Sequence, residues 1–313
     1  LTINTAEKYS VITFATNKLS YVQFALNCAH SVLQHNDVPI FIVSNLDFPI
    51  PEKFQDKISV IPAKPGHELL GMGIKLYIDE YVQTEHTLFI DSDCLCFGNL
   101  NEIFKACEKM DVTVAGNIVP AENWCGADQA KTIKENFGLD NLIRFNAGIL
   151  YIKKSQLAKN IFDKAREIAE SYDHYGFHRH DNWINEEGLL SIAMMLNKQK
   201  PIADDGSYMT DLYTNPRPPV INVLKGTRLL LNPSSPMPYH RPWLPVTYSP
   251  LILHFGGNNI NAYPYVSQNI LLKLYAMQVP ATLATVFVNI FIHVPYRCYH
   301  WLTGSLRKLK TRL

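Results

Sequence analysis

The sequence predicts an α/β protein built on a mostly parallel sheet with both faces covered. Three observations predict it. Short apolar runs recur through the first half of the chain: Val11–Asn17 (VITFATN), Pro39–Asn45 (PIFIVSN), Lys57–Ala63 (KISVIPA) and Thr87–Ile90 (TLFI). They are continuous rather than alternating, as strands buried on both faces are. Stretches with helical apolar spacing, Tyr21–His35 and Lys75–Tyr81, lie between them, and strands alternating with helices imply crossover connections. The length of 313 residues allows one large domain with an appendage, and 47% hydrophobic with 18% charged residues excludes a disordered chain or a multi-span membrane protein.

The later elements follow in order. Pro120–Arg144 is polar and weakly periodic, and reads as a long loop with a short helix, suited to a lid. Phe145–Ile152 (FNAGILYI) reads as one strand, Gln156–Tyr172 as an amphipathic helix and Glu187–Asn197 as another helix. Pro201–Pro250 is rich in proline and reads as irregular connections, and Leu251–Phe255 (LILHF) is a strand running into Gly256 and Gly257. No internal repeat or low-complexity segment is present.

The chemistry sits at strand ends. In open α/β sheets the ligand crevice lies beyond the carboxyl ends of the strands, where this sequence places Asn17, Asn45 and Asp91–Asp93. Leu88–Leu95 (LFIDSDCL) ends a buried strand in two carboxylates one residue apart, with Ser92 between them. Residues i and i+2 of an extended chain point to one side. Two carboxylates aimed at one point repel unless a cation separates them, and Mg²⁺ or Mn²⁺ takes carboxylate oxygens readily. A bare D-x-D is also what a helix cap plus a surface acid looks like. His254 ends a second buried strand and supplies an imidazole, and the two glycines after it let a phosphate approach the backbone. Asn146 is a polar residue beside small Ala147 and Gly148, which leave room for a ligand.

The ordered set VITFATN, GIKLYIDEY, LFIDSDCLCFGNL, FNAGILY, EEGLLS and LILHFGG resembles the retaining glycosyltransferases that include glycogenin and bacterial lipopolysaccharide galactosyltransferases. The resemblance covers roughly Val11 to Asn261. It implies the A-type glycosyltransferase fold, a UDP-sugar donor, and Mn²⁺ (or Mg²⁺) held by Asp91, Asp93 and His254. It implies that Ala15, Asn17 and Tyr21 line the uridine pocket, that Lys75 contacts the donor, and that Asn146 and Ala147 face the donor sugar. Glu186 and Glu187 stand where the family has Asp-Gln, so one of them is expected near the anomeric carbon. The family's Lys-Pro-Trp, six residues beyond its metal histidine, is replaced here by Ile260, Asn261 and Ala262, which removes a phosphate-binding lysine. Lys225, Arg228 and Arg241 are the candidate replacements.

The expected organisation is a nucleotide-sugar-binding catalytic domain over 1–262 and an apolar, basic segment over 263–313. All 28 acidic residues lie at or before Asp211, whereas ten of the 29 basic residues follow it, so residues 1–211 carry a net charge of −9. Val279–Val294 is apolar but interrupted by Asn289 and His293, and falls short of the roughly 18–20 residues that span a bilayer. With the basic LRKLKTRL and Trp301 it suits an anchor lying on an anionic membrane surface. Six cysteines without a C-x-x-C pair argue against a zinc knuckle and for a reducing compartment, hence a cytoplasmic, peripherally membrane-associated enzyme. The opening LTINTAEKYS has no basic-plus-apolar leader pattern, and the absence of an initial Met leaves an upstream segment open. The expected partners are a nucleotide-sugar donor and a glycan or glycolipid acceptor, and no nucleic acid.

His174, His178 and His180 lie in an aromatic stretch, YDHYGFHRHDNW, that reads as a loop stacking on acceptor sugar or packing locally rather than as a second metal site. Trp124 in the expected lid reads the same way, and Asp204-Asp205-Gly206 reads as a turn. Two rival functions remain. A haloacid-dehalogenase-like phosphatase also places D-x-D after a buried strand, but in the first strand and with Thr or Val where Leu95 stands here. A membrane-associated nucleotide-sugar-binding protein without catalysis fits the missing lysine.

Overall fold

The computed structural model describes residues 8–179, 182–212, 220–235 and 240–310, without the side chains of 300 and 304–310. Its centre is a six-stranded sheet in the order β3-β2-β1-β4-β9-β6. These are β1 (Tyr9–Phe14), β2 (Ile40–Ser44), β3 (Ile58–Pro62), β4 (His86–Ile90), β6 (Val112–Thr113) and β9 (Ile149–Lys153). The first four run parallel, while β9 is antiparallel to both β4 and β6. Successive strand residues face opposite sides. Ile12 and Phe89 pack on one side with helices α5 (Gln156–Glu170) and α6 (Glu186–Leu196), and Val11 and Leu88 pack on the other with α1 (Leu19–Leu33). Burial on both faces is why the strands read as unbroken apolar runs.

The 3-10 helix Gly71–Tyr81 takes the place of the α-helix expected over Lys75–Tyr81. It is pinned from α5. The Arg166 guanidinium donates to the Leu76 carbonyl at 2.6 Å and to both Asp79 carboxylate oxygens at 2.7 and 3.1 Å. This clamp holds the face that carries Lys75.

Pro120–Arg144 is not a long loop. Helices α3 (Glu122–Cys125) and α4 (Ala127–Phe137) lead into β8 (Asn141–Phe145), which pairs antiparallel with β7 (Ala115–Pro120). The segment reads as loop because α4 buries only Ile133 fully, with Ala130 and Phe137 half-buried against the core. The run Phe145–Ile152 also divides. β8 and β9 belong to different sheets, and Asn146–Ala147–Gly148 form the step between them. Within Pro201–Pro250 five short strands appear, among them β11 (Met209–Asp211), which pairs in parallel with β15 (Ile252–His254). β15 is also antiparallel to β5 (Cys94–Cys96).

Helix α7 (Tyr263–Ala276) starts the segment expected as an appendage, yet it is built into the body. Tyr265, Leu271 and Leu272 are buried, and the Asn27 side-chain amide donates to the Tyr265 hydroxyl at 3.0 Å. Ala284 and Val288 of α8 (Ala281–Val288) join the same cluster. A π turn, Asn289–His293, then leads into α9 (Val294–Lys310). The helix therefore runs on where the apolar run stops, and Ala281–Thr303 is long and apolar enough by length and composition to cross a membrane. Pro295 is tolerated because its missing N–H falls directly after a π turn, where the regular ladder is already interrupted. The basic side chains of the tail lie outside the described residues, as do His180 and Arg217.

Candidate active site

Strand register assembles the site. In the small sheet β11-β15-β5, Asp211 lies opposite His254, and His254 lies opposite Cys94, next to Asp93. Three segments far apart in the chain thus deliver two carboxylates and an imidazole to one place. His254 Nδ1 contacts Asp211 Oδ1 at 2.7 Å, and His254 Nε2 lies 3.1 Å from Asp93 Oδ1. Burial opposes the imidazolium, but Asp93 and Asp211 outweigh it and lift the His254 pKa well above its usual value. Burial likewise works against the Asp93 carboxylate, and His254 reverses this and holds its pKa below the ordinary range.

Asp93 Oδ1 is buried, has no hydrogen-bond partner among the described residues, and meets His254 Nε2 as an ion-pair contact at 3.1 Å. An acceptor in that condition calls for a cation. The donor set suits one. A histidine that gives its Nδ1 proton to a carboxylate turns its Nε2 lone pair to a metal. Cys94 Sγ lies in the same cluster as Asp93 and His254. Burial raises the Cys94 thiol pKa well above normal, and its Sγ–H donates to the Gly148 carbonyl at 3.6 Å.

Asp91 stands apart from this group. Its Oδ2 accepts from Lys75 Nζ at 2.6 Å, and Lys75 also lies 3.2 Å from Glu186 Oε1. Burial alone would lower the lysine pKa, but the two carboxylates raise it above the ordinary value. Lys75 therefore meets Asp91 and Glu186 rather than standing open to a ligand.

Glu187 supports the step between the sheets. Its Oε1 accepts from the Ala147 amide at 2.9 Å, while the Asn146 side-chain oxygen accepts from the Gly148 amide at 2.8 Å. Burial, opposed by the Ala147 hydrogen bond and reinforced by Glu186, pushes the Glu187 pKa from 4.5 up to about 7. Gly148 is required here: a Cβ would come within 2.9 Å of Asn146 Oδ1 and 3.3 Å of His254 Nδ1.

The remaining predicted residues take these places. Ala15 is buried at the end of β1, and its amide donates to the Val43 carbonyl at 2.9 Å. Asn17 adopts φ 69°, and its amide donates to the Asn45 side chain at 2.9 Å, tying the ends of β1 and β2 together. Tyr21 is 41% exposed on the first turn of α1, beside that edge. Ser92 is half-buried in the turn between Asp91 and Asp93. Gly256 and Gly257 follow β15, and Gly257 has φ 60°. Of the candidates for the missing lysine, Arg228 is spent on the carbonyls of Phe97, Gly226 and Ser249. Lys225 is exposed, and Arg241 lies 3.6 Å from Asp211.

Two residues escape sequence reading. Asp211 ends a three-residue strand in a proline-rich stretch, and its only signal is an acid closing a short β-prone run, MTD. Asn259, just beyond the glycines, has a buried Nδ2 with no hydrogen-bond partner among the described residues. It is a donor in the region where the family's lysine is missing.

No family model matches the sequence, and no curated protein matches it. Solved structures do match. The bifunctional glycosyltransferase WbbM, in its apo form, aligns with 82% of this chain and 47% of its own at 12% identity and a TM-score of 0.50. The galactosyltransferase LgtC, in complex with donor and acceptor sugar analogs, aligns with 79% of this chain and 87% of its own at 14% identity and a TM-score of 0.48. The apo glycosyltransferase GlyE of Streptococcus pneumoniae TIGR4 aligns with 63% of this chain at 20% identity and a TM-score of 0.39. The chain matches 46% of GlyE's length. The match to WbbM shows a shared fold, the A-type glycosyltransferase fold that the motif order implies.

Proposed function

We propose that the chain is a retaining glycosyltransferase that moves a hexose from a UDP-sugar to a glycan or lipid-linked acceptor. The observation that carries this reading is the register-locked meeting of Asp93, His254 and Asp211, with one Asp93 oxygen buried against the His254 ring. Mn²⁺ or Mg²⁺ would be held there by Asp93 and His254, with Asp91 as the third ligand, and supplies Lewis-acid stabilisation of the charge that develops on the leaving diphosphate.

The protein's own groups do the rest. Asp211 holds the His254 ring and fixes which nitrogen is offered. The backbone at Gly256–Gly257 and the Asn259 Nδ2 donor provide for diphosphate oxygens. Asn17 and Tyr21 receive the uridine at the end of β1. Glu187 fixes the Ala147 amide and so the position of Asn146 against the donor sugar. Glu186 stays paired to Lys75 in a buried wall of the site.

A panel of UDP-sugars with Mn²⁺ and simple glycoside acceptors tests this, read by UDP release and product mass. Release that stops on adding EDTA is expected. Phosphate release from simple monoesters, or donor binding without turnover, would overturn the assignment.

We also propose that the protein sits on the cytoplasmic face of an anionic membrane through its C-terminal helices. Ala284, Thr285 and Val288 face the body, while Leu283, Phe287, Ile290, Phe291 and Val294 are exposed together on the opposite side. An apolar face with no acidic residue after Asp211 suits anionic lipid. Removing 279–313 would strip Ala284 and Val288 from the core, so the proper test is L283S/F287S/F291S. This variant should lose sedimentation with phosphatidylglycerol vesicles while keeping its melting temperature.

A further inference from the structure

The first turn of α7 carries two aromatic anchors, one to the body and one to the C-terminal helix. Tyr265 is the inner one. It is buried, its hydroxyl accepts from the Asn27 side-chain amide, and its ring meets Phe255 edge-on at 5.1 Å. Phe255 follows His254 directly, and its amide donates to the Asp93 carbonyl at 3.0 Å. Tyr263 is the outer anchor and is half-buried. Its ring stacks on Tyr296 at 3.5 Å with 8° between the planes. Its hydroxyl hydrogen-bonds His293 Nδ1, and the two rings meet edge-on at 5.4 Å. The 3-10 turn Gly257–Asn261, which carries the Asn259 donor, ends two residues before Tyr263, and the Ala262 amide donates back to the Asn259 carbonyl at 3.0 Å.

We infer that Tyr296 and His293 are positioning residues of the donor site: they fix Tyr263 and so the turn Gly257–Asn261, which links lipid binding to nucleotide binding. The inference rests on the transferase and membrane readings above. The π turn Asn289–His293 supplies the geometry. Its extra residue rotates the helix face that follows by about 100°. His293 and Tyr296, three residues apart, are half-buried on Tyr263, while Phe287, Ile290, Phe291 and Val294 stay exposed. The same helix thus offers one face to lipid and another to Tyr263. Pro264 stiffens the start of α7, so a displacement of Tyr263 passes to the turn before it rather than into the helix. A helix held by lipid has less freedom left to lose on closing against Tyr263, so each event favours the other.

Calorimetric titration of UDP into the full chain at saturating Mn²⁺, with and without phosphatidylglycerol vesicles, tests this. Wild type should bind UDP about two- to tenfold more tightly with vesicles, the worth of one aromatic stack. UDP should tighten vesicle sedimentation by the same factor. Y296A should bind UDP more weakly by a similar factor, still sediment, and show no vesicle effect. Y296F, which keeps the stack, should behave as wild type. L283S/F287S/F291S should keep the lipid-free affinity and lose the vesicle effect. Melting curves confirm that each variant folds, and Mn²⁺ affinity should not change in any of them. Equal UDP binding by Y296A and wild type, or no vesicle effect on a wild type that sediments, overturns the positioning role. A parallel loss of Mn²⁺ affinity in Y296A marks general damage and overturns it too. Failure of wild type to sediment overturns the membrane reading and the link with it. Failure of UDP to bind under any condition overturns the transferase reading, and the positioning role falls with it.

Discussion

Asp91 and Asp93 are two residues apart, yet they meet different environments. Around Asp91 the protein carries its own cation: Lys75 sits between Asp91 and Glu186. Around Asp93 there are two carboxylates, one imidazole and an oxygen with no hydrogen-bond partner among the described residues. The first group is closed on its Oδ2 side by that lysine, so a metal would reach Asp91 only through Oδ1. The second is bridged only by His254, whose Nε2 would face a metal once it gives up its proton. A D-x-D pair is thus not one device but two half-sites, and what stands opposite each carboxylate decides its work.

The largest expected effect comes from emptying the closed half. K75M leaves Asp91 and Glu186 buried without their cation, and breaking such a pair costs about 3–5 kcal/mol. The melting temperature should fall sharply, and K75M/E186Q should recover part of the loss. A K75M melt equal to wild type would erase the distinction between the halves.

The Asp93 half should respond in activity rather than stability. H254A or D93N should lower UDP release about 10²–10³-fold, the scale seen when one group stabilising a developing charge is removed. The folded state should survive. D211N should act more gently and through the metal, weakening Mn²⁺ affinity about 10–100-fold by loosening the His254 ring. Calorimetric titration of Mn²⁺ separates this from general damage, since raising Mn²⁺ should restore D211N and leave H254A inactive.

The smallest effect is at Glu187. Burial lifts its folded-state pKa from 4.5 to about 7, so the folded protein holds that proton more tightly than the unfolded chain. The stability is full below about pH 4.5 and falls as pH rises through about 7. E187Q keeps the acceptor for the Ala147 amide and removes the titration. Its melting temperature should exceed that of wild type at pH 8, by on the order of 1–3 kcal/mol in stability, and should match it near pH 4.5. Transfer by E187Q should also lack the decline expected of wild type above pH 7. A protonated Glu187 has nearly the shape of the glutamine that the resemblance places here, with one hydrogen-bond donor where the amide has two.

Legibility varied with how far each contact reached along the chain. The parallel core was readable because β1, β2 and β4 are buried on both faces and announce themselves as apolar runs. The segment 120–144 misled because α4 fully buries only Ile133 and meets the core otherwise through half-buried Ala130 and Phe137. The FNAGILY run misled because one apolar stretch serves two sheets.

By itself the sequence determined the strand that ends in Asp91, the glycines after His254 and the charge divide at Asp211, since each is written in neighbouring residues. Only the tertiary structure decided that Asp211 joins His254 across 43 positions, that Lys75 claims Asp91, and that the helix from Ala281 continues past its apolar run. The reason is physical: hydrophobic periodicity records whether a residue is buried, whereas the partner it meets there is set by strand register and packing between segments that share no local signal.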